Sequence, residues 1–392
     1  MRLVLALEIV FWLCAGLIVW TQLGYAAALA ALARALRSRR SRPSPRACEE
    51  LPELSLIVAA HDEERVIARR VANALALDYP RERLQVIVAC DGCTDATAAR
   101  ARAAGADVVL ELPRGGKVRA QDAGVQRARG EIVAFSDANA EWDADAARLL
   151  VAAFDDPRVG YACGQVRYLP QERSAAAQAG SAPNQEGLYW RYELAVRALE
   201  SRLSSVTGGN GAIYATRRDA YIVVDPVMGH DLSLPFNVVK RGRRAVYVPE
   251  AVSREKMVPS LGGEFARKRR MMSHTWAIVL RGGMLSPRGY PPGYALMILS
   301  HRLLRYATPV LHVAALAANA ALVADGYGLP YDLTLYLQAL VLAAAALAGV
   351  LPLRAPLVAR YYVLTTASLA AGLWDWLRHG ASATWEAAEG TR

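Results

Sequence analysis

Hydrophobic and polar positions divide this chain into three parts. Residues 9–33 contain no charged side chain. A helix of that length, at about 1.5 Å per residue, is long enough to cross a hydrocarbon core of about 30 Å. A signal peptide would have a shorter apolar segment that ends in a cleavage site, whereas this one continues into arginines. The pattern predicts an N-terminal transmembrane helix in residues 1–33.

The middle part, residues 51–272, changes to short β-branched runs separated by Ala/Arg-rich helical stretches. The runs are residues 54–59, 84–89, 107–112 and 131–135. This alternation predicts an α/β domain with a parallel sheet that carries helices on both faces. In such sheets ligands bind beyond the carboxyl ends of the strands, so the residues that follow each run are candidates for chemistry.

Long apolar runs return in the last part of the chain. Two of them predict good membrane spans and a third, crowded by charges, predicts a weaker one; they are residues 306–324, 333–353 and 357–374. We therefore predict two to three transmembrane helices within residues 301–379, followed by a tail, residues 380–392. The preceding residues, 273–300, are apolar but interrupted by Arg281 and Arg288, which favours an interfacial segment.

The charge distribution orients these segments. The formal net charge of +10 suits either nucleic acid or anionic lipid as a neighbour. Six arginines fall within residues 34–50, directly after the first apolar run, and no nucleic-acid-binding module accompanies them. This pattern favours membrane lipid as a partner and argues against nucleic acid. The positive-inside rule then places the basic linker and the middle domain in the cytosol, in a multi-pass protein of a bacterial-type inner membrane.

The five cysteines are an odd number scattered through a large chain, which argues against a disulfide framework. Cys90 and Cys93 form one CxxC pair. Zinc sites of that type normally need a second pair or histidines at a set spacing, and the sequence supplies neither. The sequence alone therefore gives little support to a metal or redox site at this pair.

Acidic residues follow two of the predicted strands. Asp91 opens a Gly-Cys-Thr-Asp turn after the second strand, and taken alone it could be an ordinary turn residue. Asp137 ends the fourth strand in Ser-Asp-Ala-Asn, so that Asn139 follows two residues later. Carboxylate and amide oxygens in this arrangement can coordinate a hard divalent cation.

These motifs resemble those of the family 2 glycosyltransferases, in the membrane-bound branch similar to polysaccharide synthases, over residues 52–275. The family's "PAYNEE" loop is present as residues 59–64, and its "DGSTD" turn as residues 91–95 with Cys93 in place of serine. The resemblance implies an α/β GT-A fold, a nucleotide-diphospho-sugar transferase domain of Rossmann-like type. It also implies that four residues bind the nucleotide: Ala59, His61, Glu63 and Asp91.

Further motifs of the family concern the diphosphate. The "GKAxALNxG" segment appears as residues 116–124, and Lys117 would neutralise the diphosphate as a point charge. The family's metal motif matches Asp137 and Asn139, with Asn139 replacing a second acid, and implies Mg²⁺ or Mn²⁺ as cofactor. The arginine motif "QxxRW" is the loosest match. Arg267 and Arg270 there could clamp the pyrophosphate or, equally, contact lipid headgroups.

The acceptor side of the resemblance rests on residues 207–212, Thr-Gly-Gly-Asn-Gly-Ala. Gly208, Gly209 and Asn210 would permit close approach of a sugar, or they could simply form a turn before a strand at residues 212–215. Trp190 lies in a Tyr-Trp-Arg-Tyr-Glu segment that fits the family's acceptor helix, although a packing role is the main alternative.

The catalytic pair of the family, two acids, matches His230 and Asp231. Asp231 could be the N-cap of the helix that follows, but the motif implies that it is the general base. His230 stands where the family has an acid. That departure leaves open how the base is oriented.

The resemblance implies an inverting glycosyltransferase that moves a sugar from a nucleotide-linked donor, most simply a UDP-sugar, to a saccharide acceptor in polysaccharide or exopolysaccharide synthesis. The alternative within enzymes is transfer of one sugar to a lipid or lipid-linked acceptor. A transporter with a nucleotide-sensing domain would need intramembrane charges, yet the spans hold little beyond His312 and Asn319. The sequence leaves open the donor sugar, the acceptor, processivity, an export conduit and the oligomeric state.

Overall fold

The computed structural model describes residues 2–36, 51–169, 183–256, 261–348, 350 and 353–383. The chain begins with one long helix, α1 (Arg2–Ala35), which contains a π-helical segment at Trp20–Gly24. This helix includes the whole apolar run that predicts the N-terminal span. Most of the basic linker lies outside the described residues.

Eight strands form one sheet in the order β3-β2-β1-β4-β7-β6-β8-β5. They are β1 (Leu54–Ala60), β2 (Leu84–Asp91), β3 (Val108–Leu112), β4 (Ile132–Asp137), β5 (Glu141–Trp142), β6 (Val159–Leu169), β7 (Tyr214–Arg217) and β8 (Arg244–Lys256). The first four are the predicted strands, and they pair in parallel. Their order brings the carboxyl ends of β1, β2 and β4 to one edge.

The second half of the sheet is not purely parallel, which differs from the expectation. Strand β7 runs antiparallel to both β4 and β6, whereas β6 and β8 pair in parallel. The reason is geometric. The chain enters β7 from residues 207–213, which lie at the carboxyl edge of the parallel strands, so β7 must run back across the sheet.

Six helices flank the sheet: α2 (Ile67–Leu75), α3 (Thr97–Ala103), α4 (Lys117–Arg127), α5 (Ala146–Ala152), α6 (Pro183–Leu203) and α7 (His230–Lys240). Successive side chains of a strand point to opposite faces of the sheet, so alternate residues belong to two different hydrophobic cores. Ile57 and Phe135 belong to the core that α6 and α7 cover, and Leu56 and Ala134 belong to the core on the α5 face. Helices therefore cover both faces of the sheet. The carboxyl edge of the parallel strands stays accessible to a ligand.

The C-terminal part is helical: α8 (Leu261–Leu280), α9 (Pro292–Tyr306), α10 (Thr308–Ala324), α11 (Tyr331–Leu347) and α12 (Arg354–His379). Within the described residues, α1 alone is both long and apolar enough for a membrane span. The pair α9–α10 would make a second if its 64° bend is one broken span, and α11 is apolar but shorter.

The apolar helices pack on one another and still leave large hydrophobic side chains exposed. Phe11 of α1 is buried against Leu322 of α10. On the outward faces, Leu13, Val313 and Leu340 are 58%, 69% and 63% exposed. An exposed apolar surface of this kind is typical of a lipid-facing or partner-facing side.

Candidate active site

The site lies at the carboxyl edge of the parallel strands, where Asp91 organises the first loop. Asp91 is almost fully buried, and its carboxylate accepts hydrogen bonds from the backbone N–H groups of Gly115 (2.6 Å) and Gly116 (3.0 Å). Gly116 has a φ of 95°, and a Cβ there would lie 2.0 Å from the Ala383 carbonyl oxygen, so only glycine fits. Asp91 thereby fixes the loop that begins α4.

Lys117, the first residue of α4, points across this edge and forms an ion pair with Asp137 at the end of β4. Burial alone would lower the pKa of Lys117, but the carboxylates of Asp137, Asp231 and Glu255 together raise it. Lys117 therefore stays cationic at physiological pH. The sheet register places Ala59 beside Asp137, so that the β1 loop adjoins the same edge.

Glu255 near the end of β8 completes this charge cluster. The sequence motifs do not predict Glu255 as a site residue. Burial first, and then the nearby Asp137 carboxylate, raise the pKa of Glu255 to about 7. Within the described part of the chain, its buried Oε1 atom has no hydrogen-bond partner. A buried carboxylate with an unpartnered oxygen beside a second carboxylate fits a bound cation. No motif marks Glu255, because its strand belongs to the half of the sheet that the alternation does not predict.

Asp137 is supported from behind by a buried arginine. Arg70 of α2 donates from Nε to Ser136 Oγ (3.0 Å), and its guanidinium lies over the Trp142 ring. Asn139 follows in the turn after β4 and is half-buried. The predicted metal ligands Asp137 and Asn139 therefore sit on a rigid support at the same edge.

The glycine-rich loop, residues 207–211, packs against this cluster. A Cβ on Gly211 would lie 3.2 Å from Lys117 Nζ, and one on Gly209 would lie 2.0 Å from Tyr161 Oη. A Cβ on Gly208 would meet the Arg302 guanidinium at 2.6 Å. The absence of side chains at these positions lets three different elements approach the same stretch of backbone.

Asn210 holds this loop in shape. Its Nδ2 donates to the Gly164 carbonyl (2.6 Å), and its Oδ1 accepts from the Ile213 N–H (2.9 Å). Trp190 of α6 likewise makes contacts within the fold, since its Nε1 donates to the Val166 carbonyl (3.2 Å). Both residues shape the wall beside the glycines, and a direct contact of either with an acceptor stays a prediction.

Asp231 is the second residue of α7, whereas the N-cap position is Gly229 and no side chain caps this helix. The alternative interpretation of Asp231 as an N-cap is therefore wrong. Its backbone carbonyl accepts the Gly209 N–H at 2.7 Å, which ties the start of α7 to the glycine-rich loop. The half-buried side chain lies close enough to Lys117 for the two charges to interact.

His230 turns away from this edge and into the core. Its Nδ1 lies 3.0 Å from the Tyr214 hydroxyl and its Nε2 lies 3.3 Å from the Tyr221 hydroxyl, which donates in turn to Asp122. Burial lowers the pKa of His230 to about 3, with the positive Lys117 adding to the effect. The imidazole is neutral at physiological pH. It anchors the start of α7 and contributes no charge to the site.

A buried polar network links the glycine-rich loop to the apolar helices. Glu200 of α6 accepts hydrogen bonds from Tyr25 of α1 (2.7 Å) and from the Thr207 N–H (3.0 Å), and it lies 2.7 Å from His301 of α9. Arg302 donates to Thr207 Oγ1 at 2.9 Å. The loop beside the general-base candidate is thus held by residues from both terminal helical regions.

The remaining predicted residues lie at the periphery. His61 and Glu63 follow β1 and contact the turn after β2. Arg267 of α8 is near enough to Glu255 to lower its pKa, and Arg270 is exposed one turn further along the helix. Of the two arginines, Arg267 therefore adjoins the charge cluster and Arg270 does not contact it.

Comparison with known proteins finds similarity over the α/β domain. A family model described as "Glycosyltransferase like family 2" matches residues 52–273. Among curated proteins, a poly-β-1,6-N-acetyl-D-glucosamine synthase of Staphylococcus aureus is 23% identical over 242 residues, which are 59% of this chain and 57% of that protein. A β-monoglucosyldiacylglycerol synthase of Synechocystis sp. is 31% identical over 180 residues, 41% of this chain and 33% of that protein. The chain thus matches little more than half of the first relative's length and a third of the second's.

Among solved structures, a mannosyltransferase from Pyrobaculum calidifontis, determined in complex with GDP-Man and Mn²⁺, aligns over 94% of this chain and 99% of its own. The TM-score is 0.68 and the identity 23%. This similarity concerns the fold, and it extends beyond the sheet domain into the helical regions. The predicted GT-A fold class is confirmed.

Proposed function

This chain belongs to the family 2 glycosyltransferases, and we propose that it transfers a sugar, with inversion, from a nucleotide-diphosphate donor to a saccharide acceptor in polysaccharide synthesis at the membrane. The observation that carries the proposal is the meeting of Lys117, Asp137 and Glu255 with Asp231 across the glycine-rich loop. One cation and three carboxylates at a sheet edge provide a place for a diphosphate, a metal ion and a base.

The donor side of the proposal has a physical basis in the charges. Asp137, Asn139 and Glu255 supply oxygen ligands of the kind that Mg²⁺ and Mn²⁺ prefer, and the unpartnered Glu255 Oε1 fits such an ion. When bound, the ion would neutralise charge on the departing diphosphate. Lys117 would do so from the other side.

On the acceptor side, we assign Asp231 as the general base. An acceptor hydroxyl oxygen forms a bond to the anomeric carbon while the bond from that carbon to the diphosphate oxygen breaks. The hydroxyl proton passes to Asp231, and the nucleoside diphosphate leaves with the bonding electrons. Attack from the face opposite the leaving group inverts the anomeric centre. The position of Asp231 supports this assignment, because its charge interacts with that of Lys117 and its carbonyl is hydrogen-bonded to the glycine-rich loop.

We propose a multi-pass membrane arrangement with the catalytic domain in the cytosol. It is supported by α1, by the exposed apolar faces of α10 and α11, and by the basic residues that follow α1. Activated nucleotide sugars are substrates of the cytosol, so this orientation matches the proposed donor. The nucleoside we predict is uridine, bound by Glu63, His61 and Asp91.

A second candidate function is transfer of a single sugar to a lipid acceptor. A cavity of about 620 Å³ lies between residues 222–228, just before Asp231, and helices α8 and α12. Its wall combines apolar side chains such as Met228 with Arg281, whose guanidinium lies over the Trp376 ring. A lipid with an anionic or hydroxylated headgroup would suit this mixture of an apolar wall and a cation.

The test is a donor screen on detergent-purified protein. Nucleotide release would be measured with and without EDTA for UDP-glucose, UDP-N-acetylglucosamine, UDP-galactose, UDP-glucuronate and GDP-mannose. We expect release with one UDP-sugar, abolished by EDTA. Release from GDP-mannose alone would overturn the uridine assignment, and EDTA-insensitive release would overturn the metal. With labelled donor, a ladder of products supports polymer synthesis and one lipid-soluble product supports the second candidate.

A further inference from the structure

Three residues that depart from the family motifs lie together in the fold. Where "PAYNEE" has Tyr-Asn this chain has His61 and Asp62, and where "DGSTD" has serine it has Cys93. The three positions come from two loops, after β1 and after β2. One ligand atom from each, a nitrogen, an oxygen and a sulfur, lies within 4.8 Å of the other two. Three departures that all introduce metal-binding side chains at one point invite a common explanation.

The geometry of His61 is that of a metal ligand. Its Nδ1 lies 2.8 Å from the Asp91 carbonyl oxygen, which can only accept, so Nδ1 carries the proton. In the neutral ring the lone pair is then on Nε2, which faces Asp62 Oδ2 at 3.5 Å. Metal-bound histidines typically donate their other ring N–H to a carbonyl or carboxylate in this way. A cation could bind between Nε2 and the carboxylate.

Asp62 is held in place by its backbone. Among the described non-glycine residues it is the one with positive φ, at 50°, a left-handed conformation that the surrounding structure must hold. Its Oδ1 accepts the Thr94 N–H at 2.7 Å, and its Oδ2 lies 3.4 Å from Thr94 Oγ1 and 3.5 Å from His61 Nε2. The strained turn thus aims one carboxylate oxygen at the imidazole.

Cys93 supplies the sulfur ligand. It is half-buried, and its Sγ lies 3.5 Å from the Ala60 carbonyl oxygen at the end of β1. The sulfur therefore faces the loop that carries His61 and Asp62.

We infer that His61, Asp62 and Cys93 form a three-ligand site for a borderline-soft divalent cation, Zn²⁺. Mixed nitrogen, sulfur and oxygen ligands select Zn²⁺ over Mg²⁺, whereas the all-oxygen set at Asp137 does the reverse. The ion would tie the β1 loop to the β2 turn at the predicted nucleoside end of the cleft. This site is separate from the diphosphate metal and does not depend on the proposed transfer reaction.

The first experiment uses the unmodified full chain in detergent. Zn²⁺ is added alone, and the rate at which iodoacetamide alkylates each cysteine is followed by peptide mass spectrometry. At a free Zn²⁺ concentration ten times the dissociation constant, Cys93 should react about tenfold more slowly. Mg²⁺ at the same concentration should leave the rate unchanged. Equal alkylation of Cys93 with and without Zn²⁺ would overturn the site.

The second experiment identifies the ligands. Co²⁺ replaces Zn²⁺ as a probe, because a thiolate bound to Co²⁺ gives a sulfur-to-metal charge-transfer band. We expect one equivalent of this band in the natural chain and in Cys163→Ala, a matched change at a buried cysteine elsewhere. Cys93→Ser and His61→Tyr, which install the family residues, should lose it while keeping the same thermal transition. Asp137→Asn should keep it, and loss of the band in Asp137→Asn would overturn the separation of the two metal sites.

Discussion

The proposed donor side of the cleft and the proposed acceptor side are built in different ways. Asp91, Lys117 and Asp137 on the donor side all lie at or just beyond the end of a parallel strand, within a single stretch of β-α units. The acceptor side, residues 207–211 with Asp231, is held by Glu200, which joins Tyr25 and His301 from opposite ends of the chain. The donor side can thus form from the sheet alone. The acceptor side needs the apolar helices, so acceptor binding should respond to membrane contacts in a way that donor binding does not.

The largest effect is expected where the two sides meet, at Asp231. Asp231→Asn should keep the fold and the affinity for nucleotide but lower kcat about 10²- to 10⁴-fold, because a positioned base is lost. Single-turnover rates and nucleotide titration measure the two quantities. Asp219→Asn, at an exposed acid that pairs with Arg243, is the control and should be near normal. Near-normal turnover by Asp231→Asn would refute the assignment of the base.

Glu200→Ala tests whether the acceptor side depends on the buried network. Removing a buried charge that bridges Tyr25, Thr207 and His301 should cost about 3–5 kcal/mol of stability. The thermal transition should fall, and the acceptor KM should rise while donor affinity stays unchanged. The matched change Glu111→Ala removes an exposed carboxylate that pairs with Arg102, and it should cost about 0–1 kcal/mol. An unchanged acceptor KM in Glu200→Ala would remove the contrast between the two sides.

Glu255→Gln tests metal binding on the proposed donor side. Glu255 lies in β8, a strand that the sequence pattern does not predict. Loss of one oxygen ligand should weaken Mn²⁺ binding about 10- to 100-fold. Asn139→Asp should act in the opposite direction, since it adds a charge to the same ion. Electron paramagnetic resonance of free Mn²⁺ measures both. Glu131→Gln, an exposed carboxylate near the start of β4, serves as the control. Unaltered Mn²⁺ affinity in Glu255→Gln would exclude this residue from the ligand set.

His230 gives the smallest effect, and it concerns stability rather than rate. Its pKa of about 3 lies below the ordinary value near 6.5, so below pH 6.5 the unfolded chain binds a proton that the folded chain does not. Stability should therefore fall as the pH drops from 6.5, by up to about 1.4 kcal/mol per pH unit from this residue. His230→Gln should flatten that part of the pH profile, and His379→Gln, at the exposed end of α12, should not. An identical slope in His230→Gln would contradict its neutral, buried state.

The sequence by itself determined the family, the first four strands and the position of the residues at their ends, for which donor binding stays a proposal. It could do so because β-branched runs, turn residues and strand-end acids are local features, and a parallel sheet brings strand ends to one edge by its own geometry. It also located α1, since apolar length is a local property.

Only the tertiary structure decided the rest. Glu255 joins the cluster through strand pairing between distant segments, and His230 proves to be a core residue because its neighbours Tyr214 and Tyr221 come from β7 and the loop after it. The hydrogen bond between Tyr25 and Glu200 joins residues 175 positions apart. Contacts at such separations depend on packing, for which the residue pattern along the chain carries no signal.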